Sequence, residues 1–380
     1  MTEIRPFTLA VPQDQIDDLY RRIDSARWPE KECVDDWSQG VPLAALQELV
    51  AYWREHYDWR RCEARLNGFG QFLTEIDGLD IHFLHVRSPH ADAAPLILTH
   101  GWPGSIVEFL DCIAPLADPV AHGGRAEDAF HVVVPSLPGY GFSAKPSRTG
   151  WDVPKVGEAW AELMRRLGYE RWFAQGGDWG AIVTTVLGAQ APEGLAGIHT
   201  NMPIARILPE DREDKDPKVV EALAAGAKYS AEDSGYSKIQ STRPQTIGYG
   251  LVDSPVAQAG WIYEKMWAWT DNRGAPEDAL SRDTMLDNIM LYWLTASGAS
   301  SARMYWQSFG TIGKGGYQVD LPAGISTFPR EITKAPRKWA ERTLRNIVYW
   351  NDCERGGHFA AWEQPEIFVR EVRKCFALMR

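Results

Sequence analysis

Asp178 stands at the centre of Gln175-Gly176-Gly177-Asp178-Trp179-Gly180-Ala181. An apolar run, Arg171-Trp172-Phe173-Ala174, leads into this stretch, and a small-residue helical segment, Ala181 to Gln190, leads out. Gly176 and Gly180, two residues before and two after the aspartate, suit a bend too tight for a Cβ on either side. A strand, a sharp turn and a helix in that order hold a nucleophile at an exposed elbow, and its acid and histidine partners follow later in the chain. His358 lies in Gly356-Gly357-His358-Phe359-Ala360, after the last expected strand and before the last expected helix, where that histidine belongs. Two carboxylates could orient it. Glu331 follows the expected strand Ile325–Phe328 and ranks first; Asp352, on the same strand end as His358, ranks second.

An aspartate nucleophile selects the electrophile. A serine attacking a saturated carbon would end as a stable ether. A carboxylate leaves an ester instead, which water can cleave at its carbonyl. Carboxylates are ionised at neutral pH, so the first step needs no base; His358 is needed to activate water in the second. The substrates implied are epoxides or alkyl halides. The backbone N–H groups of Trp179 and of Trp102, in the loop after an earlier strand, would form an oxyanion hole for ester cleavage. An opening epoxide also needs a proton donor, and a phenol of pKa about 10 can serve. Tyr236, Tyr305, Tyr229, Tyr249, Tyr263 and Tyr292 lie in the segment that would face the elbow, and packing is the commoner role for any one of them.

The rest of the chain must position these groups. At 380 residues it exceeds one ordinary domain and can bury a large core. A formal charge of −11 argues against nucleic acid or an anionic membrane as partner. Five scattered cysteines with no C-x-x-C pair argue against a disulfide framework or a zinc site. The first residues carry no apolar signal region, and no stretch approaches the ~20 apolar residues of a membrane span. The chain reads as soluble and cytoplasmic, without cofactor or metal; a homodimer is compatible with it. Seventeen tryptophans suggest aromatic-lined cavities, with core packing as the plainer explanation.

Residues 1–70 read as a helical wrap. Ile16, Leu19, Tyr20 and Ile23 recur at helical spacing, as do Leu46, Leu49, Val50 and Trp53, and Pro42 sits where the second helix would begin. Residues 71–203 alternate strands and helices. A hairpin turns at Asp77-Gly78, Leu96–Thr99 and His131–Pro135 read as buried parallel strands, and a helix near Lys155–Leu167 precedes the elbow strand. His82 and His85 read as ordinary strand residues rather than metal ligands, since no third ligand follows. Residues 204–315 are helical, charged and aromatic, and would cap the carboxyl edge of the sheet. Residues 316–380 return to it, with strands at Ile325–Phe328 and Arg345–Trp350 and a last helix over Pro365–Met379. This order predicts an α/β-hydrolase architecture: a doubly wound, mostly parallel sheet with sites at its carboxyl edge, a helical cap inserted after the nucleophile half, and an N-terminal wrap.

Taken in order, several motifs together resemble the microsomal-type epoxide hydrolases over nearly the whole chain. They are Phe7-Thr8-Leu9 and Arg27-Trp28-Pro29, His100-Gly101-Trp102-Pro103-Gly104-Ser105, Gly176-Gly177-Asp178-Trp179-Gly180, Asp253-Ser254-Pro255-Val256, Phe328-Pro329-Arg330-Glu331 and Gly356-Gly357-His358-Phe359-Ala360-Ala361. The resemblance implies Asp178 as nucleophile, His358 as base and Glu331, rather than Asp352, as the orienting acid. It also selects Tyr236 and Tyr305 from the cap tyrosines as the epoxide-activating pair. Membrane-bound members of that family carry an N-terminal anchor helix, and this chain starts at the wrap, so a soluble, bacterial-style member is expected. Its substrate would be a small epoxide, bulky or aryl-bearing on the strength of the many aromatics, and its role detoxification or natural-product biosynthesis. The rivals are a haloalkane dehalogenase, using the same nucleophile with the Trp102 and Trp179 indoles on the halide, and a non-catalytic binding protein. An ordinary esterase is disfavoured by the lack of any G-x-S-x-G.

Overall fold

The computed structural model describes residues 3–312 and 316–380; Met1, Thr2 and the expected cap boundary at Gly315 lie outside them. Among the described residues nine strands form one sheet: β1 (Ile4–Pro6), β2 (Gln71–Ile76), β3 (Leu79–Val86), β4 (Ala94–Thr99), β5 (Phe130–Pro135), β6 (Trp172–Gly176), β7 (Leu195–Thr200), β8 (Ala323–Thr327) and β9 (Ile347–Asp352). Their spatial order is β1-β2-β3-β5-β4-β6-β7-β8-β9. The first three strands and the β3–β5 pair are antiparallel, and every pair from β5 onward is parallel. The hairpin at Asp77-Gly78 has both residues at positive φ, +51° and +79°, as a two-residue turn matched to strand twist requires. The inner strands are almost wholly buried because helices cover both faces.

Helices α1 (Gln13–Asp24), α2 (Leu43–Glu55) and α3 (Trp59–Asn67) precede the sheet proper. In the core follow α4 (Leu110–Ala117), α5 (Val153–Arg166) and α6 (Trp179–Gln190). Asp152 starts α5 by accepting from the Lys155 amide, and Val153, Val156, Trp160, Leu163 and Met164 turn its apolar face to the sheet. Helix α6 is buried on most sides, which its small residues permit.

Between β7 and β8 the chain is helical: α7 (Pro217–Lys228), α8 (Gly235–Thr242), α9 (Pro244–Asp253), α10 (Pro255–Trp269), α11 (Arg282–Leu294) and α12 (Gly298–Ile312). Short α13 (Arg337–Ala340) and α14 (Ala360–Glu363) and the long α15 (Pro365–Ala377) complete it. The N-terminal helices touch α10 and α11. Tyr57 donates to Asp287 at 2.8 Å, Arg61 pairs with the same carboxylate at 2.6 Å, and the Trp53 indole donates to the Met290 sulfur. The wrap thus supports the segment above the sheet edge, a contact that periodicity does not reveal. Among the described residues no helix is long and apolar enough to cross a membrane.

Candidate active site

Asp178 is held at φ +50°, ψ −125°, a conformation that costs a non-glycine residue energy and persists only where the surroundings impose it. The glycines around it are there for space. A Cβ on Gly180 would lie 1.9 Å from the Thr99 carbonyl oxygen, and one on Gly176 2.1 Å from the Gly180 carbonyl oxygen. Gly101, at the end of β4, matters as much: a Cβ there would meet Oδ1 of Asp178 at 2.1 Å. The next residue, Trp102, donates its backbone N–H to that Oδ1 at 2.7 Å. Trp179 is the first residue of α6, where backbone N–H groups have no partner inside the helix.

The other oxygen of Asp178, Oδ2, lies 3.2 Å from Nε2 of His358, too far off line for a hydrogen bond, so Nε2 has no hydrogen-bond partner. Nδ1 of His358 meets Oε1 of Glu331 at 2.7 Å. The same Oε1 accepts from the amide of Ile332, which fixes the carboxylate from behind. The Asp178 side chain is 16 % exposed, against 1 % for His358 and 3 % for Glu331, so the row opens only at the aspartate. Burial opposes charge on His358, but the carboxylates of Glu331 and Asp178 outweigh it and hold its pKa well above the ordinary imidazole value. Asp352 is elsewhere. It binds Lys218, Thr327 and the Trp350 indole at the exposed end of β9.

The loop carrying His358 is pinned from two sides. Its own N–H donates to the Trp269 carbonyl at the end of α10. The Glu363 carboxylate accepts from the amides of Gly357, Phe359 and Asp271, and burial raises its pKa to about 7. The loop carrying Trp102 is fixed likewise: Asn288 donates to the Pro103 carbonyl at 2.7 Å and Tyr292 to the Gly104 carbonyl at 2.8 Å. His100 accepts from the Leu137 amide through Nε2, and burial lowers its pKa to about 4, so it is a neutral strut.

Of the six cap tyrosines, two close over Asp178. The Tyr236 ring stacks on Trp102 at 4.8 Å, the Tyr305 ring meets Trp179 edge-on at 4.7 Å, and the two tyrosine rings are 5.8 Å apart. Burial, with a smaller push from the Asp178 charge, raises both phenols well above 10, so they stay protonated. Tyr292 and Tyr263 spend their hydroxyls on Gly104 and Glu277, and Tyr249 is 70 % exposed. Tyr229 stands behind the pair, its hydroxyl 2.8 Å from that of Tyr236. The Trp179 indole N–H is buried without a partner. His82, on β3, is a buried core residue bonded to Ser136 and Gln71.

Sequence reasoning passed over three residues of this site. Trp269 lies against both Tyr236 and His358, and nothing local in the sequence sets it apart from the other tryptophans. Glu363 and Glu108 carry no motif of their own. The structure shows why position 104 is glycine: a Cβ there would fall 1.5 Å from the Glu108 carboxylate.

A nucleophile elbow at the crest of a mostly parallel sheet, with a histidine and an acid from later strand ends, defines an α/β-hydrolase. Residues 94–228 match the family described as alpha/beta hydrolase fold, and residues 4–109 match the one described as epoxide hydrolase N terminus. The chain is 58 % identical over 379 residues to a candidate epoxide hydrolase of Stigmatella aurantiaca, covering 99 % of this chain and 86 % of that one. It is 35 % identical over 409 residues to epoxide hydrolase 1 of Oryctolagus cuniculus, covering 99 % and 89 %. The solved epoxide hydrolase of Aspergillus niger superposes with a TM-score of 0.90 at 33 % identity, over 100 % of this chain and 97 % of that one. The chain belongs to the epoxide hydrolase family.

Proposed function

We propose that this protein is an enzyme that hydrolyses epoxides to vicinal diols through an ester formed on Asp178. Family membership supports the reaction class. The observation that carries the mechanism is the pair of contacts on one elbow carboxylate, the Trp102 amide at Oδ1 and His358 Nε2 at Oδ2. Asp178 attacks one epoxide carbon, that carbon's bond to oxygen breaks, and Tyr236 or Tyr305 gives its proton to the departing oxygen. Water then attacks the ester carbonyl carbon of Asp178 and passes a proton to His358, which Glu331 orients. The Trp102 amide, with that of Trp179, receives the oxyanion. Collapse breaks the bond between carbonyl carbon and diol oxygen, and the diol oxygen takes the proton from His358. The carboxylic acid left on Asp178 returns its proton to the tyrosinate, so atoms and charge balance over the cycle.

The aromatic walls around Asp178, formed by Trp102, Tyr236, Trp269, Trp179 and Tyr305, favour a bulky or aryl-bearing epoxide. His358→Gln is the test. Mixed with styrene oxide, it should accumulate a covalent adduct of one substrate mass on a peptide containing Asp178, seen by mass spectrometry, while the wild type releases diol. An unmodified His358→Gln beside an active wild type would sink the scheme.

A further inference from the structure

Glu108 has no part in the mechanism above, yet it shares a cavity with the groups that carry the second step. The cavity behind Asp178 is lined by Asp178, His358, Gly101, Trp102, Glu108 and Asn201, among others. It has about 10 Å³ of room for water centres, close to what one water molecule needs, provided that two or more polar partners surround it. Asp178, His358 and Glu108 are those partners. The carboxylate reaches this place because Gly104 has no Cβ: one there would fall 1.5 Å from Oε1 and 2.5 Å from Cδ of Glu108. Tyr292, whose hydroxyl holds the Gly104 carbonyl, closes the same loop from α11.

Resting on the hydrolase reading above, we propose that Glu108 is a positioning residue for the hydrolytic water. Its carboxylate accepts a hydrogen bond from one O–H, while His358 Nε2 takes the other proton and the oxygen lone pair faces the ester carbon of Asp178. Water in that cleft has two hydrogens to place, and His358 accounts for one. A second acceptor fixes the direction of attack, which a single bond to His358 leaves free. No proton is transferred to Glu108, so the balance of the cycle is unchanged.

The charge on Glu108 depends on its charged neighbours. Burial raises its pKa to about 8; the Asp178 charge adds to the rise, while His358 and the backbone amides of Ser105 and Gly101 oppose it. The titratable groups facing it are Asp178, His358, Tyr292 and Cys112. Alkylation turns Asp178 into a neutral ester and removes one of the charges that raise the Glu108 pKa, while a His358 that is neutral to act as base no longer lowers it, so the two changes oppose each other. The contact to water rests on the shared cavity and the space left by Gly104.

Rapid-quench kinetics with styrene oxide, read by mass spectrometry of the Asp178 peptide, separate ester formation from ester hydrolysis. Glu108→Gln should slow hydrolysis about 10- to 100-fold, the range for losing a hydrogen bond to a charged group, so that adduct accumulates. It should also remove a limb from the pH profile of hydrolysis, and Glu108→Asp should restore part of both. Gly104→Ala, which displaces the carboxylate while keeping it, should reproduce the slow hydrolysis. A Glu108→Gln protein that forms ester is folded, so hydrolysis at the wild-type rate with the wild-type pH profile overturns the proposal, as does a defect confined to ester formation. A wild type that forms neither adduct nor diol would instead bring down the hydrolase reading, and this inference with it.

Discussion

On the core side of the site, Asp178, Trp102 and His358 sit in loops at strand ends whose backbones are fixed by close packing and by bonds to neighbouring chain. Glycine at 101, 176 and 180 lets those loops approach within distances that any Cβ would forbid, and the amide of Trp102 and the carboxylate of Glu331 complete the polar contacts. On the cap side, Tyr236 and Tyr305 sit on α8 and α12 and are held by aromatic neighbours. Tyr236 bonds to the Tyr229 hydroxyl, and the buried Lys265 ammonium lies 4.6 Å from the centre of its ring. One wall is built for direction, with dipoles aimed at a single carboxylate. The other is built for shape, with two protonated phenols carried in an aromatic surface backed by the Lys265–Asp233 pair. The difference matches what the proposed mechanism asks of each: the core wall would handle charge developing at a fixed carbonyl, and the cap wall would meet an oxygen whose position varies with the substrate.

The largest effect should come from stripping the cap wall of its donors. Tyr236→Phe with Tyr305→Phe should slow ester formation by about 10³-fold or more, and each single change by less, since loss of one oxyanion donor costs about 10²- to 10³-fold and here the second phenol remains. Single-turnover measurement of adduct formation reads this directly, and ester hydrolysis should change little. If the double variant formed ester at the wild-type rate, the division of labour between the walls would be wrong. Halide release from a chloroalkane by that variant would point to the indoles of Trp102 and Trp179 instead.

The two walls also differed in how far the sequence disclosed them. The elbow was legible because sterics leave a local mark, a glycine on each side of Asp178, and the His358 loop because Gly356-Gly357 precedes it. The acid was legible only to two candidates. Glu331 and Asp352 both follow strands, and nothing local says that β9 ends with Asp352 turned to Lys218 while Glu331 turns inward. The tyrosines carry no such mark. Tyr292 and Tyr305 are both buried and helical, and what separates them is that one hydroxyl reaches the Gly104 carbonyl. The residues that support the site from a distance were hidden for the same reason. Asp287, Tyr57 and Arg61 join α11 to the wrap across more than 200 positions, a pairing with no period to betray it. Helix α3 has no reading of its own in the sequence: Trp59, Cys62 and Leu66 make a short buried stripe set among many charged residues.

A smaller and more diagnostic effect lies along the core wall. Glu331→Gln keeps the shape of the contact to His358 and removes its charge. Burial pulls the imidazole pKa down and the two carboxylates push it up, so losing one should lower it. In the proposed mechanism, hydrolysis of the ester requires neutral His358, and its rate would rise with pH through the pKa of that group. The acidic limb of the hydrolysis profile should therefore move to lower pH in Glu331→Gln, while the plateau falls about 100-fold as the ring loses its orienting partner. A limb that stayed in place, or moved to higher pH, would mean that Glu331 does not set the charge of His358.

The smallest effect belongs to the carboxylate that sequence alone could not dismiss. Asp352→Asn should leave both chemical steps within about twofold of wild type, because the side chain faces Lys218, Thr327 and Trp350 rather than His358. Its bond to Lys218 is a mostly exposed ion pair between α7 and β9, a class worth at most about 1 kcal/mol. A modest loss of thermal stability that shrinks at high salt is thus the expected signature, read by melting in low and high sodium chloride. The pair of variants is what gives each its meaning. Both remove one negative charge near the end of a late strand, and only the one at 331 touches the imidazole. If Asp352→Asn shifted the pH limb as Glu331→Gln does, charge in the neighbourhood rather than contact with Nδ1 would govern His358, and the directed character of the core wall would be lost.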